Sequence, residues 1–90
     1  MSEVLQRMEQ KAIKKLTEEI RESVTNTLHS MIDDKIGYGT DNRSIASTLA
    51  ASFISSIQER IKIKALSTVQ ANFAELMDLL QQALDKESEK

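Results

Sequence analysis

"RIKIKALS", residues 60–67, decides whether this chain is built from two helices or three. On its N-terminal side Ile45, Ala46, Leu49, Ala50, Phe53, Ile54, Ile57 and Ile61 define one helical face. Beyond it Leu66, Val69, Phe73, Leu76, Leu80 and Leu84 define another. At about 100° per residue the two faces point roughly 165° apart, so one straight helix would serve opposite neighbours. Inside the stretch apolar and basic residues alternate. Directly after it, Ser67-Thr68-Val69-Gln70 fits a capping box, with Ser67 at the cap and Gln70 reaching back. The pattern predicts a break near 63–67, with a helix over about 44–63 before it and one over about 68–86 after it. Ser56-Ile57-Gln58-Glu59 fits the same box inside the earlier helix. That leaves one unbroken helix of roughly 65 Å as the alternative.

Upstream the signals are simpler. Leu5, Met8, Ala12, Leu16, Ile20, Val24, Leu28 and Met31 recur every three or four residues, one stripe on one long helix over about 3–34. The chain has no proline, and its two glycines, Gly37 and Gly39, fall together in "DDKIGYGTDNRS", residues 33–44. Gly37 stands where a left-handed residue ends a helix at little cost. Thr40 or Asp41 can supply the oxygen that caps the next one. A turn over 35–43 follows, and residues 87–90 form a charged tail. The fold class is therefore all-α: a long first helix, a glycine turn, a central second helix and a third. Residues 1–90 make a single helical domain.

Ser44, Ser47, Thr48, Ser52 and Ser55 lie opposite the isoleucine stripe of the second helix, without a charge among them. Exposed helix faces normally carry Lys and Glu. The expectation is a central helix covered on both sides, one of them by a second subunit. Size points the same way. A chain of 90 residues buries only about 60–65% of its unfolded surface. With no cysteine and one histidine, His29, neither disulfides nor a Cys/His zinc site can supplement the core. Self-association remains, with Leu49, Phe53, Ile57, Phe73, Leu76 and Leu80 as its expected core.

Twelve basic residues against 14 acidic ones leave a formal charge of −2, which is no footprint for nucleic acid and no polybasic membrane signal. The longest uncharged stretch, residues 44–58, is 15 residues and serine-rich, too short and too polar to span a bilayer. "MSEVLQRMEQ" lacks the basic-then-apolar order of a signal peptide. A soluble, cytoplasmic protein with no membrane partner is expected.

Motifs for chemistry are few. Lys35 and the two glycines miss the spacing of a phosphate loop. Asp33, Asp34 and Asp41 miss that of a calcium loop. His29 has no nucleophile assigned to it by any motif. No enzyme and no cofactor are expected. Two surfaces stand out instead. Tyr38, an aromatic in a polar turn, can anchor a protein partner. Arg60, Lys62 and Lys64, with Arg43 in reach, can meet phosphate or an acidic protein. The leading expectation is a small helical interaction module (regulator, adaptor, inhibitor or chaperone-like cofactor) acting as a homodimer or higher oligomer. The alternative is a nucleic-acid-binding regulator whose basic patch is doubled by dimer symmetry, though aromatic interleaving and a helix-turn-helix pattern are both missing.

Overall fold

A computed structural model describes residues 2–88. They form two α-helices, α1 (Ser2–Ile36) and α2 (Asn42–Ser88), joined by the short loop 37–41. The architecture is an extended helical hairpin, 69 Å long and 22 × 15 Å across. The three-helix chain expected from the sequence is therefore wrong: α2 runs unbroken for 47 residues through the expected break at 63–67. Glu87 and Ser88 continue the helix. The last two residues of the expected tail lie outside the described residues.

The turn forms as its residues dictate. Gly37 takes φ +82°, and its N–H donates to the Asp33 carbonyl at 2.8 Å, a left-handed stop for α1. The Asp41 carbonyl accepts the first bond of α2, from the Ile45 N–H at 3.0 Å, which makes Asp41 the cap position. Asn42 then ties the two helices together. Its side-chain amide donates to Asp33 Oδ1 at 2.7 Å and to the Gly37 carbonyl at 2.9 Å while being itself buried. Gly39 leaves it room, since a Cβ there would come within 3.2 Å of Asn42 Oδ1.

The helix continues past residue 63 because nothing in the stretch interrupts it. Residues 60–67 contain no glycine or proline. Thr68 is satisfied within the helix: its hydroxyl donates back to the Lys64 carbonyl at 3.0 Å. Ser56 does the same toward Phe53 at 2.7 Å. Hydroxyls bonded this way leave the backbone ladder intact, and with α2 continuous through both Ser56 and Ser67 neither capping-box pattern starts a helix.

The apparent change of face has a geometric cause. The buried residues of α2 are Asn42, Ala46, Ala50, Ile54, Ile61, Ala65 and Val69, spaced by four except for one step of seven. Each step of four overshoots a helical turn by about 40°, so between Asn42 and Val69 the buried line moves roughly half way round the helix. On α1 the half-buried Ala12, Leu16, Ile20, Val24, Leu28 and Ile32 follow the same spacing. Rows of four meeting rows of four belong to the right-handed class of helix pairs, in which the seam winds around both axes. One continuous helix thus reaches both apolar faces, because the direction of its neighbour turns with them.

Three of the seven buried positions of α2 are alanines, Ala46, Ala50 and Ala65. Ala46 and Ala50 are 0% exposed, and no large side chain is fully buried. An alanine methyl vanishes from solvent only where the facing helix comes close, and that approach pushes bulkier neighbours to the flanks. The expectation for the second helix is thereby inverted within the chain. Its serine face (Ser44, Ser47, Thr48, Ser52, Ser55) is exposed, and so are Ile45, Leu49 and Phe53.

Candidate functional site

Ile45, Leu49, Phe53 and Ile57 each precede a seam position or lie one helical turn from one, so they form a row along one edge of the seam. Against this row α1 sets Leu16, Ile20, Leu28, Met31, Ile32 and Ile36. The result is an open groove. Near the turn it is walled by Leu28, Met31, Ile32, Lys35 and Ile36 of α1 and by Ile45 of α2, Lys35 being the one charged residue there. Further along, a recess of about 440 Å³ lies between Leu16 and Ile20 on one side and Phe53 and Ile57 on the other, with Arg60 and Lys64 at its edge. Leu16 and Lys64 also line the next recess, together with Lys15 and Glu19, so the groove passes from an apolar floor into a charged end. Leu49, 50% exposed, bridges Ile45 and Phe53 on the same row.

A second apolar surface lies at the far end. Both helices start from the one turn, yet α1 has 35 residues and α2 has 47. At about 1.5 Å per residue, α2 therefore runs some 18 Å beyond the start of α1. Leu79, Leu80 and Leu84 lie on this overhang and Leu76 at its root, all 48–56% exposed. Among the described residues no helix packs on the overhang.

The expected oligomer core is thus divided. Leu49, Phe53 and Ile57 share the groove. Leu76 and Leu80 belong to the overhang, with Phe73 half-buried before it. The expected basic patch is divided as well. Arg60 and Lys64 border the groove, whereas Lys62, two residues from each, falls roughly 160° around the helix from both. Arg43 sits at the opposite end of the hairpin, where its guanidinium donates to Asn26 Oδ1 at 3.1 Å. The structure brings no four-residue cationic surface together. Tyr38 is 95% exposed on the loop, touching no core. His29 is half-buried, with Nε2 at 3.6 Å from Asp33 Oδ2.

The α1 wall of the groove was missed. Met31 reads only as a member of the α1 stripe, which Ile32 widens, and Ile36 stands outside it. Their signal is the pair Ile36 and Ile45 flanking a tight loop, which a hairpin must bring side by side. Among the described residues no three His, Asp or Glu side chains come together as a metal site, and no helix is long and apolar enough to cross a membrane.

What the fold and site define is an all-α hairpin with one apolar groove and one leucine-bearing overhang. Compared with known proteins, the chain matches no family model, no curated protein and no solved structure.

Proposed function

We propose that this chain is a small, non-enzymatic helical interaction module, an adaptor or regulator that works by docking its exposed apolar surfaces on protein partners. The reading rests above all on the overhang of α2. Four leucines stand half-exposed on a helix segment that its own chain leaves uncovered. Contiguous apolar exposure of this kind marks interaction sites on water-soluble domains. A segment of about twelve residues is also a marginal helix by itself in water, so a partner that packs on it supplies stability as well as affinity. A cytoplasmic location belongs to the same proposal and rests on composition, with no cysteine and a net charge of −2.

The test compares the full chain with the variant Leu76→Ser/Leu80→Ser/Leu84→Ser, each immobilised and exposed to extract of the source cell. The native chain is expected to retain a defined protein in stoichiometric amount, and the variant to lose it while keeping its helical circular dichroism. Equal retention by both chains would contradict the reading. So would retention of nucleic acid in place of protein, recognisable by a steep loss of binding as salt rises.

A further inference from the structure

The groove carries one sign of charge at both ends. Lys35 lines it near the turn. Arg60 and Lys64 border the recess at its other end, and Lys15 stands with Lys64 in the next recess along. Glu19 is the one acidic residue among the side chains that line these three recesses. Four bases against one acid thus frame an uncharged floor, in a chain whose net charge is −2. Opposed potentials select a partner and fix how it lies, so the complement of this floor carries acidic groups at both ends. A second copy of the same groove would set bases against bases.

Shape says what carries those groups. Along α2 the groove runs from Ile45 to Lys64, about 28 Å at 1.5 Å per residue. It lies between two helices and is open on its remaining side, the place a third helix takes in a bundle. Ile45, Leu49, Phe53 and Ile57 follow one another by four, one helical turn apart. An amphipathic helix repeats its apolar anchors at the same three- and four-residue spacing. The recess of about 440 Å³ between Leu16, Ile20, Phe53 and Ile57 receives a bulky anchor from it. An acyl chain is a poorer match, because in a groove this open one side of it would stay in water.

We propose that the groove receives an amphipathic helix of a partner protein, about 19 residues long, whose apolar stripe lies on Leu28, Ile45, Leu49 and Phe53. Its acidic residues meet Lys35 at one end of the groove and Lys15, Arg60 and Lys64 at the other. The proposal deepens the interaction-module reading, on which it rests for the chain being a protein-binding one, and names the chemistry of the partner at a surface separate from the overhang. Bound there, the helix completes a three-helix bundle and covers Phe53 on the side that α1 leaves open. The leucine overhang stays free for a further contact.

Two fluorescent synthetic peptides of about 19 residues test it. Both carry one leucine stripe at three- and four-residue spacing; beside the stripe, near each end, one carries Glu and the other Lys. By fluorescence anisotropy with the full chain, the Glu peptide is expected to bind at least about tenfold tighter than the Lys peptide at low salt. The difference is expected to shrink as salt rises. Lys35→Glu/Arg60→Glu/Lys64→Glu, all at exposed positions, is expected to invert the order while helical circular dichroism holds. Leu49→Ser/Phe53→Ser is expected to lose both peptides, and Leu76→Ser/Leu80→Ser/Leu84→Ser to bind the Glu peptide as the native chain does. Equal binding of the two peptides overturns the proposal, and so does a preference that the charge reversal leaves in place. Binding that survives loss of Leu49 and Phe53 overturns it as well. Phosphatidylserine vesicles bound in place of either peptide overturn it in favour of a lipid surface, and a native dimer that excludes the Glu peptide does so in favour of a second copy. A chain that binds neither peptide, yet retains its partner through Leu76, Leu80 and Leu84, removes the groove's helix alone and leaves the interaction module standing.

Discussion

Ala50→Leu is expected to destabilise the hairpin by about 3 kcal/mol, the upper part of the usual range for overpacking a closed site. Ala50 is 0% exposed, at the middle of a seam where the facing helix has taken all the space a methyl leaves. A leucine there adds three carbons with nowhere to go. They are accommodated only by prising α1 and α2 apart, which would also uncover Ala46 and Ile54 on either side. For a chain whose whole stability is of the order of 5–15 kcal/mol, that is a large share. Ala51→Leu supplies the control. Ala51 is exposed, and the same enlargement one residue along is expected to change stability by less than about 0.5 kcal/mol. Urea denaturation of the two variants reads both effects. Equal small losses would show that the alanines do not line a closed seam.

Thr68→Pro is expected to cost about 3 kcal/mol or more. In the unbroken α2, residue 68 donates its backbone N–H to the carbonyl of residue 64. Proline removes that donor and drives its ring against the same carbonyl. Had the third helix begun after a cap at Ser67, residue 68 would be its first helical position, where proline is favoured. The two folds therefore give opposite signs to one substitution. Loss of helicity and a lowered urea midpoint follow from the hairpin; an unchanged or raised midpoint would revive the break.

Much of this fold is legible in the sequence. The stripe of α1 predicts a long first helix, and a glycine pair in a chain without proline fixes the only turn. Gly37 performs the stop that its position implies. The remainder was hidden by two habits of reading a helical wheel. The first takes the neighbour of a helix to lie in one constant direction. For rows spaced by four the direction drifts, so two faces roughly 165° apart looked like two helices when they are two stations on one winding seam. The second takes the largest apolar residues to be innermost. In a two-helix pair the closest approach belongs to Ala46, Ala50 and Ala65, and Leu49 and Phe53 stand outside as the walls of a groove. The groove itself is not legible, because its α1 wall is set by how residues 28–36 fold back on Ile45. The basic run misleads for a related reason. Arg60, Lys62 and Lys64 are adjacent in the chain, but alternate residues of a helix point apart.

The exposure of Phe53, at 45%, also changes what its removal means. Truncating a fully buried phenylalanine costs about 3–5 kcal/mol. In a lone hairpin the half-covered ring would account for only part of that. Phe53→Ala is therefore expected to cost less than about 3 kcal/mol by urea denaturation, and a loss of the full size would show the ring covered by more than α1.

An inter-label distance along α2 bears most directly on the unbroken helix. The chain has no cysteine, so Ser52→Cys/Gln82→Cys gives two unique attachment points, both on exposed positions. Spin-label pairs on this variant, diluted into unlabelled chain, report their separation by pulsed electron resonance. Thirty residues of continuous helix place them about 45 Å apart. A third helix folded back on the second would bring them below about 25 Å, since packed helices lie about 10 Å from axis to axis, and that shorter distance would contradict the hairpin.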